Sequence, residues 1–473
     1  MLFNSYEFII LYLPIVFIVY FVLNKFKLIQ FAKIWLVLAS LFFYSYWNIN
    51  YLPLILGSML FNYVIGTTLN DPENIKLKIN RKLVLIFGIT SNILLLVYYK
   101  YFNFLISNIN LFVKNDLNLI QVILPLGISF FTFTQIAFLV DAYKNEVKEA
   151  DFINYALFVT FFPHLIAGPI IHHKEMMPQF ANLRSKIINN KNISIGLFLL
   201  AIGLFKKVIL ADNLAPLVHQ GFDISAHLSF FEAWFVSIAY TFQLYFDFSG
   251  YTDMALGIAL MFNIKLPQNF NSPYKAKNIQ DFWRRWHITL SRFLRDYIYI
   301  PLGGNKKGHF QTYNNLFTTF LIGGLWHGAA WTFVIWGSLH GIAIVFHRIW
   351  QNWGIKVNNV LAIIGTFLFV NFAWIFFRAA HFSDATKIIN GMFGLSGFIT
   401  PRTNKLFFKF NDDLWVNWLL ILVSIIIIFV FRNSNELAQK FKPSVSYLLI
   451  TILLGYFAII NMSKISEFLY FQF

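Results

Sequence analysis

Apolar runs about as long as a bilayer is thick recur along this chain, near residues 8–24, 33–47, 51–69, 83–105, 119–140, 152–171, 194–211, 230–262, 315–350, 358–378, 413–432 and 445–461. About 20 apolar residues in helical form cross a hydrocarbon layer of ~30 Å. Inside lipid each backbone N–H and C=O must find its partner within the protein, so the spanning elements are helices unless a barrel closes on itself. The expected fold is all-α: a polytopic transmembrane helical protein of roughly 11 spans, with additional re-entrant or interfacial helices. Composition agrees, since 58% of the 473 residues are hydrophobic and only 12% are charged, a balance that belongs to membrane chains. No internal repeat or long linker interrupts the pattern, so one membrane domain over residues 1–473 is expected.

The first run, "EFIILYLPIVFIVYFVLNKFK", lacks a preceding basic residue and a small-residue cleavage site, which marks it as a retained span rather than a cleaved leader. Lys25, Lys27 and Lys33 follow it, and the next basic loop, "KLKINRK" at 76–82, comes two spans later. Both loops are therefore expected in the cytoplasm and the N-terminus outside. The chain carries 37 Lys plus Arg against 21 Asp plus Glu, a formal +16. In this setting that excess reads as inside-loop charge facing anionic lipid, not as a nucleic-acid surface. Without a single cysteine, disulfides, thiolate metal sites and a Cys-acyl intermediate are excluded.

The most polar interruption, 263–314, reads "NIKLPQNFNSPYKAKNIQDFWRRWHITLSRFLRDYIYIPLGGNKKGHFQTYN". Pro267, Asn271 and Pro273 are turn formers. Asn278 can then cap a helix expected to run through about Tyr299, where Pro301, Gly303 and Gly304 stop it. On such a helix Arg284, His287, Ser291 and Arg295 share one face, within about 80°, and Arg285 and Arg292 lie on a neighbouring stripe. Two readings stand side by side: a basic amphipathic helix lying in the membrane interface, or arginine forks and a basic rim that meet the phosphates of a nucleotide-bearing cofactor.

Ionisable residues inside apolar runs are costly and count as functional candidates. In "LIGGLWHGAAWTFVIWGSLHG" (321–341), His327 sits between Gly324 and Gly328, and His340 follows thirteen residues later. Histidine is the cheapest such group because it can stay neutral near pH 7, and the glycines allow another helix or a substrate to approach closely. In one unbroken helix the two rings would point about 220° apart, so either one is structural or the helix breaks between them. Two further polar patches, "YFDFSGYTDMALG" with Asp247, Ser249 and Asp253, and "FFPHLIAGPIIHHKEMMPQF" with His164 and Pro169, suit either cavity-lining backbone or hydrogen-bond clusters that stabilise the fold. No metal is expected: His172 and His173 are adjacent, without helical ligand spacing, and neither HExxH nor an EF-hand loop occurs. There is likewise no G-x-S-x-G elbow, which leaves histidine as a general base in a water-poor site.

"DFWRRWHITLSRFLRDYIYIPLGGNKKG" (281–308) and "GGLWHGAAWTFVIWGSLHG" (323–341), together with "PLGISFFTFTQIAFLVDAY", "FFPHLIAGPI" and "YTFQLYFDFSGYTDMALGIAL" in the same order, strongly resemble the membrane-bound O-acyltransferase family. The resemblance covers nearly the whole chain and is greatest to the bacterial branch that O-acetylates alginate and peptidoglycan. It implies a helical ring around a central tunnel, with His327 as the embedded histidine that deprotonates a hydroxyl and His287 as the second polar residue. His340, Asp247 and Ser291 become secondary tunnel residues. Acetyl-CoA is the implied co-substrate, its phosphates received by Arg284, Arg285, Arg292, Arg295 and Lys306. The terminal "SEFLYFQF" (466–473) resembles the aromatic motif of this branch, making Tyr470 a candidate acyl relay; as a sequence alone it suits an aromatic belt equally well. The resemblance also implies the bacterial inner membrane as location, contact with lipids, and a periplasmic SGNH-type partner that passes acetyl groups to the glycan. Peptidoglycan, at N-acetylmuramic acid O6, is the first expected acceptor, and alginate or another exopolysaccharide the second. A transporter or flippase without acyl chemistry is the rival of another class, weakened by the lack of paired repeats; an envelope scaffold is a third.

Overall fold

The computed structural model describes residues 1–70, 80–113, 117–120, 122–147, 151–398, 414–462 and 468–469. The regular elements among these residues are all helical. Six of the described helices are long and apolar enough to cross a membrane: Glu7–Lys25, Ile49–Asn70, Arg81–Asn110, Asn190–Ile224, Trp331–Asn352 and Asn359–Arg378. Four shorter apolar helices, Ile29–Ser45, Ile128–Tyr143, Trp415–Phe429 and Val445–Ile460, account for further expected runs. This is a multi-pass membrane protein.

Three expected runs are broken, each for a local reason. The run at 119–140 becomes helical only from Ile128, because Pro125 cannot donate and Gly127 takes a left-handed turn at φ 68°. The run at 152–171 is helical over Phe152–Thr160 and ends at Phe161, shortly before Pro163. Its continuation through residue 172 is largely irregular yet buried. The run at 315–350 forms two helices, Gly308–His327 and Trp331–Asn352, separated by extended backbone at Gly328 and Ala330.

The chain forms two compact units. One comprises Met1–Leu200, Tyr251–Pro267 and Pro443–Thr451. In it Arg81 gathers the C-terminal ends of two helices, donating to the carbonyls of Leu69 and Tyr143 at 2.8 Å each, where unsatisfied carbonyls and the negative end of the helix dipole favour a cation. Asn62, Asn92 and Gln135 hydrogen-bond to one another in its interior, which lets apolar helices bury amides without leaving them all unmet. His164 is buried here as well, and His173 pairs with Asp141 at 2.9 Å.

The other unit comprises Ala201–Gly250, Gln268–Lys442 and Ile452–Phe473, and holds almost all the candidate functional residues. Its central pair, Gly308–His327 and Trp331–Asn352, touches backbone to backbone. A Cβ on Gly324 would lie 2.5 Å from the Phe333 carbonyl oxygen, and one on Gly337 2.6 Å from that of Phe320, so any side chain at either position would force the helices apart.

Candidate functional site

Asn278 caps a helix as expected, its side chain accepting from Asp281 N–H at 2.8 Å, but that helix ends at Trp283 instead of running through Tyr299. The neighbouring segment captures the backbone that would have continued it. Asn271 N–H donates to the Arg285 carbonyl at 2.9 Å, and Ile288 N–H to the Asn269 carbonyl at 3.0 Å. Between these bonds His287 is forced to a left-handed φ of 43°. A helix then restarts at Ile288 and continues to Tyr299. Such a conformation at a non-glycine residue costs on the order of 1–3 kcal/mol, and such costs cluster at functional sites.

His287 is fully buried. Its Nδ1 lies 3.2 Å from Asn269 Oδ1, which also receives Thr289 N–H at 3.2 Å and Thr289 Oγ1 at 2.9 Å. A backbone N–H can only donate, so the Asn269 atom is the oxygen and His287 Nδ1 must carry the proton. The lone pair is then on Nε2. The ring lies outside the candidate spans, and burial pushes its pKa down to about 3, so it is neutral near pH 7.

His327 closes the Gly308–His327 helix and is 3% exposed. Trp326, Trp336 and Phe377 surround its ring at centroid distances of 4.9, 5.0 and 5.0 Å, each steeply inclined to it. The break after it depends on Gly328, where a Cβ would meet Phe333 Cε2 at 2.0 Å. The His327 and His287 rings approach to 6.4 Å between centroids. Phe248 lies against His287 at 4.8 Å.

His340 is kept apart from this pair. Trp336 stands at 5.0 Å from His327 and at 4.8 Å from His340, and Trp283 Nε1 donates to His340 Nδ1 at 3.2 Å. The His340 proton is therefore on Nε2, the opposite tautomer to His287. Of the two alternatives left open by the thirteen-residue spacing, the helix does break.

The basic residues separate into two groups. Arg284, Arg292 and Arg295 line a cavity of about 460 Å³ together with Ser291, Trp283 and Arg348. Of these Arg295 also holds Asp296 through two bonds, at 2.6 and 3.0 Å. Arg285 lies outside the lining and pairs with Asp281 at 2.8 Å, and Lys306 is exposed in the turn after Gly304, away from that lining. Trp283 bridges the cavity and the buried histidines, because the indole that lines the one donates to His340. Asp247 is 2% exposed and binds Lys207 at 2.6 Å. Tyr470 lies outside the described residues.

Sequence reasoning missed Asn269 and Arg348. Asn269 sits in "QNFNSPY", where turn chemistry concealed an acceptor aimed at a residue 18 positions later. Arg348 belongs to no motif in the sequence and stands about two helical turns beyond His340.

The pattern of the membrane-bound O-acyltransferase family matches residues 42–382. A peptidoglycan O-acetyltransferase of Helicobacter pylori is 46% identical over 100% of this chain and 98% of its own length. A probable alginate O-acetylase of Pseudomonas aeruginosa is 38% identical over 86% of this chain and 77% of its own. A teichoic acid D-alanyltransferase of Bacillus subtilis is 29% identical over 54% and 69%. The chain, with its two buried imidazoles brought together at a broken helix, belongs to the membrane-bound O-acyltransferase family and is an acyltransferase.

Proposed function

We propose that this protein takes acetyl groups from acetyl-CoA on the cytoplasmic side of the bacterial inner membrane and delivers them for O-acetylation of peptidoglycan. The observation that carries the reading is the approach of His287 and His327, two buried imidazoles of which one has its lone pair fixed on Nε2. Acetyl-CoA supplies an activated thioester carbonyl. His327 takes the proton of the attacking hydroxyl as its oxygen bonds to that carbonyl, and His287 Nε2 is the second acceptor that holds or relays the proton. Collapse expels the CoA thiolate, which recovers the proton. Arg284, Arg292, Arg295 and Arg348 receive CoA phosphates, for which arginine forks are suited. Arg285, outside the cavity lining and engaged by Asp281, contributes less.

Acceptor choice follows the relatives. Full-length similarity to a peptidoglycan enzyme favours N-acetylmuramic acid O6, and the alginate relatives make an exopolysaccharide the alternative. A periplasmic SGNH-type partner completes transfer, with Tyr470 as transient acetyl acceptor or as the residue that positions the partner. The reading is tested with purified protein in detergent and labelled acetyl-CoA. Thioester consumption that depends on His327 supports it, and consumption unchanged in His327→Ala overturns it. Acetyl export surviving in a folded Tyr470→Phe protein removes the relay alone.

A further inference from the structure

The buried ion pair of Lys207 and Asp247 has a second occupant. Asp247 Oδ1 binds Lys207 Nζ at 2.6 Å, and Lys207 also binds Asp212 at 2.8 Å. The other oxygen, Asp247 Oδ2, accepts the backbone N–H of Leu469 at 3.1 Å. Lys207 Nζ stands over the Phe468 ring, 4.8 Å from its centroid. Both halves of one ion pair thus hold two successive residues near the C-terminus, the carboxylate through the backbone and the ammonium through an aromatic face. Phe468 and Leu469 are themselves buried.

Local sequence choices shape this receptor. Lys207 lies on a π-helical turn, Phe205–Ala211, a widened geometry common at functional sites. That turn is pressed onto the helix Phe230–Met261 at Gly250, where a Cβ would lie 2.8 Å from the Gly203 carbonyl oxygen and 3.2 Å from Lys207 N. One residue after Asp247, Phe248 packs on the His287 ring. A single helical turn therefore presents the carboxylate that holds the C-terminal segment and the aromatic ring that supports the imidazole pair.

We infer that Asp247 and Lys207 are positioning residues that dock Phe468 and Leu469 of the chain's own C-terminal segment, and that acetyl handover depends on this docking. The role in handover rests on the acyl-transfer reading above; the docking does not.

The test combines hydrogen exchange of the full-length protein in detergent with acetyl-transfer assays. In the wild type the Leu469 amide is protected. In Asp247→Leu its exchange rises by at least about tenfold, the effect of losing a hydrogen bond to a charged acceptor, while amides of Gly308–His327 exchange as before. Asp247→Asn, which keeps an acceptor oxygen, retains most of the protection. Leu469→Pro, which removes the donor without touching the interior ion pair, lowers transfer too, and the double variant loses less than the two single losses combined, because the bond they share can be lost only once. Should Asp247→Leu fail to fold, Leu469→Pro carries the test alone. A Leu469 amide that exchanges freely in the wild type, protection unchanged in Asp247→Leu, additive losses, or transfer unaffected by Leu469→Pro would each overturn the inference. Absence of acetyl-CoA consumption by the wild type would instead sink the acyl-transfer reading and leave the exchange result to judge docking.

Discussion

Asn269 dictates where His287 keeps its proton. The Asn269 side-chain oxygen accepts from Thr289 N–H and Thr289 Oγ1 as well as from His287 Nδ1, so the imidazole cannot turn its lone pair toward Asn269 without setting two acceptors face to face. Removing that oxygen frees the ring to adopt either tautomer. Asn269→Ala is therefore expected to lower kcat by about 10- to 100-fold, the loss of one to two kcal/mol or slightly more of buried hydrogen bonding, with the KM for acetyl-CoA changing less than about twofold. A steady-state measurement of both constants checks this, and a loss confined to KM would contradict it.

Both imidazoles should matter, and not equally. His327→Ala is expected to reduce thioester consumption by at least about 100-fold, the usual contribution of a positioned base. His287→Gln should lose less, because a glutamine oxygen can still accept from a hydroxyl. Comparable residual rates in the two variants would argue for a shared, symmetrical role. His340→Gln, on the far side of Trp336, should alter stability more than turnover.

The arginines make a contrast that the sequence alone could not draw. Arg348→Ala removes a cavity-lining fork and should raise the KM for acetyl-CoA by about 5- to 50-fold, in proportion to a charge-assisted hydrogen bond, and the effect should shrink as salt is added. Arg285→Ala should stay within about twofold of wild type, because its guanidinium already serves Asp281 at a part-exposed site where ion pairs are worth little. Equal effects from the two substitutions would show that the cavity does not take the CoA phosphates.

How far the sequence could be read depends on the range of the interaction that decides each feature. Run length and polarity are local, so the all-helical membrane fold, the Asn278 cap and the standing of His287 and His327 as candidates were legible. The breaks were not. His287 leaves the helix because Asn269 and Asn271, 18 and 16 residues earlier, take its neighbours' backbone bonds, and periodicity carries no trace of a competing partner. For the same reason one cationic stripe at 284–295 resolved into three arginines on the cavity, Arg295 among them while it also pairs with Asp296, and Arg285, which pairs with Asp281 outside it. Arg348 joined them through the helix pairing that Gly324 and Gly337 allow, a tertiary contact.

Gly328 offers a direct test of the helix break. Its φ of −163° is open to any residue, so the backbone does not demand glycine; Phe333 does, by occupying the Cβ position at 2.0 Å. Gly328→Ala should destabilise by about 1–3 kcal/mol, the range for overpacking a buried site, and displace Phe333, which packs on Phe377 at 5.1 Å and so indirectly on His327. Gly365→Ala, where an added methyl would meet nothing within 4 Å, should leave both melting temperature and turnover unchanged. Detergent-solubilised thermal melts of the two variants separate these outcomes.

The buried neutral state of His287 also gives a pH dependence with a definite sign. Its folded pKa is pushed down to about 3 by burial, against about 6.5 in an unfolded chain. Below pH 6.5 the unfolded chain therefore binds a proton that the folded chain refuses, and stability contributed by this group is full above pH 6.5 and drains away as pH falls toward 3. At pH 5 the expected loss is about 2 kcal/mol, from 1.5 pH units at ~1.4 kcal/mol each. Asn in place of His287 has no such proton to refuse. Melts at pH 7 and pH 5 should show the wild type losing more than His287→Asn, whatever the two proteins' absolute stabilities; His164 and His340, present in both, cancel from the comparison. Equal losses would mean that the folded protein protonates His287 as readily as the unfolded chain does, and would overturn the claim that burial holds this ring neutral.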